Sequence, residues 1–122
     1  MDTFESSHSL KGEGFGKARN VHGHTYKVEL VVEGTELSKD GVLCDIVQLK
    51  NSLSQVLKDL HYTSLDDNAE LKNVNTTAEE MARYVHRKVS SKLGAEERKT
   101  VRSMKITVWE NQTGFASFSD KI

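Results

Sequence analysis

The sequence contains no proline, a single cysteine and no excess of either charge. Without proline, every turn has to rest on glycine, asparagine and aspartate. A lone cysteine rules out an intrachain disulfide and fits a reducing compartment, so a cytoplasmic location is expected. With 17 basic and 18 acidic residues the formal net charge is −1. That balance offers no electrostatic footprint for nucleic acid or for an anionic membrane surface. No apolar run approaches the length of a membrane span. The start, Met1-Asp2-Thr3-Phe4-Glu5, lacks the basic region and apolar stretch of a signal peptide. Internal repeats, low-complexity segments and linkers are missing too. The 122 residues are therefore expected to form one domain, 1–122, around a modest core.

What is present centres on Val21-His22-Gly23-His24-Thr25-Tyr26, which runs into the apolar stretch Lys27 to Val32. In a strand, residues i and i+2 point to the same face, so His22 and His24 project together. Two imidazoles on one face make half of a transition-metal site. A catalytic zinc usually takes three protein ligands and keeps one open position. His8 is the candidate third ligand, because it lies in a second strand-like stretch, Thr3 to Leu10, where Phe4, Ser6 and His8 share a face.

The intervening segment, Lys11 to Asn20, carries spaced glycines and reads as a mobile loop. It does not read as a phosphate cradle, because that fingerprint needs a strand before and a helix after, and here a strand follows. A second strand is expected over about residues 24–33, then turns at Glu33-Gly34-Thr35-Glu36 and Lys39-Asp40-Gly41. Ile46, Leu49, Leu53, Val56, Leu57 and Leu60 recur at helical spacing behind Asp45 as N-cap. A second helix starts near Thr77, with Glu80 three residues on in capping-box fashion. Its buried stripe is Ala78, Met81, Ala82, Val85, Val89 and Leu93, and Gly94 stops it. Met104, Ile106 and Val108 alternate in a third strand, and Phe115, Ala116 and Phe118 mark a last one. The order ββααββ predicts an α+β fold, with two helices covering one face of an antiparallel sheet.

Five segments in this order resemble the 6-pyruvoyl-tetrahydropterin synthase and 6-carboxytetrahydropterin synthase family, over nearly the whole chain. Phe4 to His8 looks like its first strand and first zinc histidine. His22-Gly23-His24-Thr25-Tyr26 looks like its HGHxY signature. Asp40-Gly41-Val42-Leu43-Cys44-Asp45, with Leu49-Lys50, is similar to its DG-x-x-x-D-x-x-x-LK segment. Asn75-Thr76-Thr77-Ala78-Glu79 resembles its N-P-T-A-E segment, and Val108-Trp109-Glu110 the strand carrying its pterin-anchoring glutamate. The resemblance implies the tunnelling fold, in which sheets of several copies join into a ring and two rings stack, usually as a homo-hexamer. It implies a Zn2+ site held by His8, His22 and His24 near a subunit boundary. It also implies a pterin pocket with Glu110 accepting from the amino and ring N–H groups, where a buried carboxylate suits a bidentate role. Thr77 and Glu79 either line that pocket or simply cap the helix.

The chain departs from the family at its acid–base relay. The family places a proton-abstracting cysteine four residues before the first histidine of HGH, where this chain has Ala18. The family's Asp-His pair at the end of the first helix falls on His61 and Tyr62. Candidate replacements are His61, Glu13, Tyr62, Lys17 and Cys44. His61 is favoured because an imidazole titrates near neutrality, although a histidine at a helix C-terminus also suits the macrodipole. Glu13 could swing in from the loop, whereas Cys44 lies in an apolar segment and reads as buried. The expected function is a zinc-dependent, carbon–oxygen-lyase-like pterin synthase acting on dihydroneopterin triphosphate or a related pterin, in tetrahydrobiopterin or queuosine biosynthesis. The alternatives are aldolase-like cleavage of a pterin side chain, and a pterin- or purine-binding protein without catalysis.

Overall fold

A computed structural model describes all 122 residues. Strands β1 (Asp2–His8), β2 (His22–Glu33), β3 (Thr63–Ser64), β4 (Ser103–Trp109) and β5 (Phe115–Lys121) form one sheet in the order β3-β1-β2-β4-β5. Helices α1 (Ile46–Lys58) and α2 (Ala78–Lys92) pack on it, and a short α3 (Ala95–Thr100) leads into β4. This is the expected α+β arrangement with two additions, β3 and α3. All pairings are antiparallel except that of β3, which runs parallel to β1. No helix is long and apolar enough to cross a membrane.

Alternation decides which face meets the helices. Phe4, Ser6 and His8 on β1, Tyr26 and Val28 on β2, and Met104, Ile106 and Val108 on β4 are all buried. Their odd-numbered neighbours Thr3, Thr25, Lys27 and Lys105 are exposed on the other face. Phe4 lies opposite Tyr26 across the β1–β2 ladder, and their rings stack 4.6 Å apart at 10°. Against this surface α2 presents Met81, Ala82, Val85 and Val89, and α1 presents Leu53, Val56 and Leu57. Burying such side chains contributes about 1.5–3 kcal/mol each.

The caps follow from the sequence. Asp45 accepts from the N–H of Val47 at 2.9 Å and from Gln48 at the head of α1, and Thr77 accepts from the N–H of Glu80 at 3.2 Å at the head of α2. The capping box is only half formed, because the Glu80 carboxylate pairs with Arg83 instead of reaching back. The stripe expected for α1 begins too early. Ile46 is 70% exposed and Leu49 only half-buried, and the buried residues of α1 start at Leu53. The chain leaves α2 at Leu93 in an extended conformation, and Gly94 caps α3 rather than closing α2.

The glycine-bearing segment is not an open loop. Glu13–Arg19 winds into 3-10 turns interrupted at Gly16, whose φ of 55° favours glycine. Leu10 N–H donates to Ala18 O at 2.9 Å and closes its base. β2 then starts at His22, two residues earlier than expected, because His22 pairs directly with His8.

Candidate functional site

Register brings the three histidines together. His8 ends β1 opposite His22, and His24 lies two residues along on the same face, opposite Ser6. Directly opposed residues of an antiparallel pair hold their Cβ atoms about 4.5–5.5 Å apart. The ring centroids are 4.5 Å (His8–His22), 5.2 Å (His8–His24) and 4.9 Å (His22–His24) apart. One nitrogen from each ring lies within 4.8 Å of the other two. Three imidazole nitrogens converging at this spacing could hold a metal ion.

Two of the rings are oriented by backbone oxygens. His8 Nδ1 lies 2.9 Å from Thr76 O and 3.0 Å from Thr76 Oγ1. His22 Nδ1 lies 2.8 Å from Asn20 O. A carbonyl only accepts, so both rings carry their proton on Nδ1 and keep the Nε2 lone pair for a ligand. His24 differs. Its Nε2 is buried without a hydrogen-bond partner, and the nearest charged atom is Glu110 Oε2 at 4.0 Å. A buried polar atom left unpaired is costly, and coordination of a metal at this cluster would relieve that cost. The residues therefore fit a metal ion.

The electrostatics point the same way. His8 is held below the ordinary imidazole range, first by burial and then by His22 and His24, with the Thr76 carbonyl and Asp66 pulling back. It stays neutral at physiological pH, as a metal ligand must. Tyr26, the last residue of the HGHxY stretch, is fully buried with its hydroxyl 3.4 Å from both ring nitrogens of His8. Burial and the nearby Glu110 and Asp66 carboxylates push its phenol well up, so it remains protonated. Asp66 steadies the end of β1 by accepting from the Ser9 N–H and hydroxyl, each at 2.8 Å.

Glu110 follows β4 and is half-buried, on the same side of the sheet as the histidines. It also borders an open depression of about 540 Å³ shared with Thr3, Thr25, Lys27, Trp109, Asn111 and Gln112. Trp109 lies against Phe115, with ring centroids 4.1 Å apart, and its buried Nε1 has no partner. Thr77 adjoins the cluster through Thr76, but its hydroxyl oxygen already accepts from Glu80 N–H. Glu79 is exposed on the first turn of α2.

The acid–base candidates do not gather around the histidines within one chain. His61 lies just beyond α1 at the β1 edge, where its Nδ1 accepts the Glu5 N–H at 2.9 Å. Tyr62 follows at φ 56°, 78% exposed, and the neighbouring Glu5 carboxylate raises its phenol pKa. Glu13, Lys17 and Ala18 all lie in the 3-10 segment, Glu13 and Lys17 exposed and Ala18 half-buried. Cys44 is half-buried, with its thiol pushed up by burial, Glu97 and Asp45, which keeps it unreactive. Sequence reasoning passed over Thr76 and Asn20. Asn20 acts through its backbone carbonyl, which leaves no trace in residue type.

The sequence model of 6-pyruvoyl tetrahydropterin synthase matches residues 1–121. The chain is 29% identical over 141 residues to 6-carboxy-5,6,7,8-tetrahydropterin synthase of Haemophilus influenzae, covering 97% of this chain and 94% of that protein. It is 29% identical over 108 residues to dihydroneopterin monophosphate aldolase of Pyrococcus furiosus, covering 88% and 83% respectively. Its fold superposes on the structure of Caenorhabditis elegans 6-pyruvoyl tetrahydropterin synthase with a TM-score of 0.82 and 25% identity, over 98% of this chain and 91% of that one. The match over almost every residue, joined to the His8–His22–His24 cluster, makes this chain a member of the 6-pyruvoyl tetrahydropterin synthase family.

Proposed function

We propose that this chain is a zinc-dependent, tetrahydropterin synthase-like enzyme of pterin biosynthesis, acting on dihydroneopterin triphosphate or a related pterin. The observation that carries the reading is the three-histidine cluster with its unpartnered, buried His24 Nε2. His8, His22 and His24 would hold the ion, leaving an open position for substrate. When bound, zinc supplies Lewis-acid polarisation of a side-chain oxygen of the substrate.

The chain's own residues do the rest. Glu110 accepts hydrogen bonds from the amino and ring N–H groups of the pterin, and its nearness to His24 sets the heterocycle beside the reacting side chain. Thr77, next to Thr76, and Glu79 border the pocket. Ala18 has no proton to move. In the neutral ring of His61, Nδ1 is engaged by the Glu5 N–H, so the proton sits on Nε2 and that atom donates. The proton-accepting role then falls to Glu13, whose segment is tied at Lys11 to Asn75, beside Thr76. Assembly as a homo-hexameric ring places the site near a subunit boundary, and the two-residue β3, which leaves most of the β1 edge uncovered, supports it.

A second reading is aldolase-like cleavage of the pterin side chain. The Pyrococcus furiosus relative named for that activity supports it, as does the altered relay, since a different bond can use a differently placed base. A product assay on dihydroneopterin triphosphate and monophosphate, with zinc and after chelation, tests both. A tetrahydropterin product supports the first reading, and release of the side chain as an aldehyde supports the second. Unchanged substrate with zinc present would leave a binding protein and refute the enzyme.

A further inference from the structure

Asn75, Thr76 and Thr77 form one turn on which three parts of the molecule converge. Thr77 N–H donates to Asn75 O at 2.7 Å, an i to i+2 closure with Thr76 at its apex. On one side, the Asn75 side chain pairs with the Lys11 backbone in both directions. It accepts from Lys11 N–H and donates to Lys11 O, each at 2.9 Å. On the other side, Thr77 caps α2. Thr76 is thus pinned before and after. It is 1% exposed, and it directs two oxygens at one nitrogen, His8 Nδ1, at 2.9 and 3.0 Å.

We propose that Thr76 is a positioning residue whose carbonyl and hydroxyl together hold the His8 ring in one tautomer and one rotation, with Nε2 turned toward the metal. This rests on the metal reading above and deepens it. The carbonyl alone fixes the tautomer, because it can only accept. One acceptor still lets a ring pivot about the hydrogen bond; a second, 3.0 Å from the same nitrogen, restricts that freedom. The three ligands then differ in kind. His8 is held by a fork, His22 by one carbonyl two residues away, and His24 by no hydrogen bond. His8 is the preset ligand, and the other two rings adjust to complete the site. The hydrogen-bonding partners behind metal ligands typically set about 10–100-fold in metal affinity.

The test uses the whole chain. In the metal-free wild type, imidazole 15N shifts report which nitrogen of His8 bears the proton. Zinc affinity is then measured by competition with a chromophoric chelator for wild type, Thr76→Val and Thr76→Ser. Valine keeps the carbonyl and the shape but removes the hydroxyl, and serine restores it. The expected results are a proton on Nδ1, a loss of about tenfold in zinc affinity for Thr76→Val, and recovery for Thr76→Ser. A purely structural Thr76 would lower the melting temperature of the valine variant without moving the affinity of the folded protein. Wild-type affinity in Thr76→Val, or a proton on His8 Nε2, would overturn the proposal and leave the metal site standing. A wild type with His8 protonated on Nδ1 that takes up no zinc would overturn the metal reading and, with it, a positioning role. The tautomer measurement needs no variant, so a valine protein that fails to fold does not block the test.

Discussion

Removing His8 and removing His24 should have the same effect on metal and very unequal effects on the fold. Each ring is one of the three candidate ligands, so His8→Ala and His24→Ala should both abolish stoichiometric zinc. In the metal-free protein the two part company. His8 is fully buried and donates to two buried oxygens of Thr76. Its removal leaves the carbonyl unpaired, at about 1–3 kcal/mol, and opens a ring-sized cavity worth about 2 kcal/mol more. A sum of about 3–5 kcal/mol is a large share of the ~5–15 kcal/mol that holds a domain together. At about 4 °C per kcal/mol for a chain of this size, the midpoint should fall by about 12–20 °C. His24 carries a buried nitrogen that already lacks a partner, so truncating it removes a liability along with some packing against Tyr26. Its midpoint should stay within about 4 °C of wild type. The assay is thermal unfolding followed by circular dichroism after dialysis against a chelator, with elemental analysis of parallel samples. Unchanged zinc in either variant would refute the ligand assignment. A metal-free His24→Ala as damaged as His8→Ala would refute the account of how the two rings are held.

Other consequences are open to simpler tests. Ala18→Cys places a thiol at the position the family uses as base, and should raise formation of the usual synthase product from a low level. The gain should lie toward the bottom of the about 10²–10⁴-fold range for general acid–base groups, because the Asp-His pair is still missing. A wild type that already forms that product at a normal rate would show the catalytic residues to be misplaced. Light scattering at micromolar protein should give a mass well above the 13.7 kDa of one chain, and a clean monomer would remove the shared-pocket arrangement. The metal-free protein should lose stability as pH falls below about 6.5. His8 has its folded-state pKa lowered from 6.5, so the unfolded chain binds the extra proton first, and stability rises with pH through that window and is complete above it. A midpoint that is flat from pH 7.5 to 5.5 would contradict this. Gly34→Ala should cost about 1–3 kcal/mol in urea unfolding, because an added Cβ would run into Thr100 O and come within 2.6 Å of Leu43 Cδ1. A neutral result would mean that the turn after β2 yields more easily than its packing suggests.

The sequence disclosed the histidine cluster because the strand period is simple. His-x-His at the head of an apolar strand, plus a third histidine on a face shared with Phe4 and Ser6, is enough to place three rings together once the two strands pair. The stripe of α2 was legible for the same reason, with each of its six positions buried. What escaped depends on backbone or on distant parts of the chain. β3 has only two residues and exists because the chain leaving α1 passes the β1 edge, where Tyr62 N–H donates to Glu5 O. Spaced glycines suggested a mobile loop, but the Lys11–Asn75 pairing spans 64 positions and no local pattern announces it. Ile46 fitted the helical period and still faces solvent, since periodicity marks a face of a helix and not which of its turns is covered. The support behind His8 was hidden in Thr76, which reads in sequence as an ordinary residue before a helix cap.

Trp109 is the only tryptophan in the chain. It lies one residue before Glu110, leans on Phe115, and shares with Glu110 the wall of the same depression. All the indole emission of this protein therefore comes from a single place beside the proposed anchor. Its Nε1 is buried without a partner, so that emission responds to any change in the packing of the wall around the indole. The molecule carries its own optical reporter, and occupancy of the depression can be followed in solution without a label, a coupled enzyme or a turnover step.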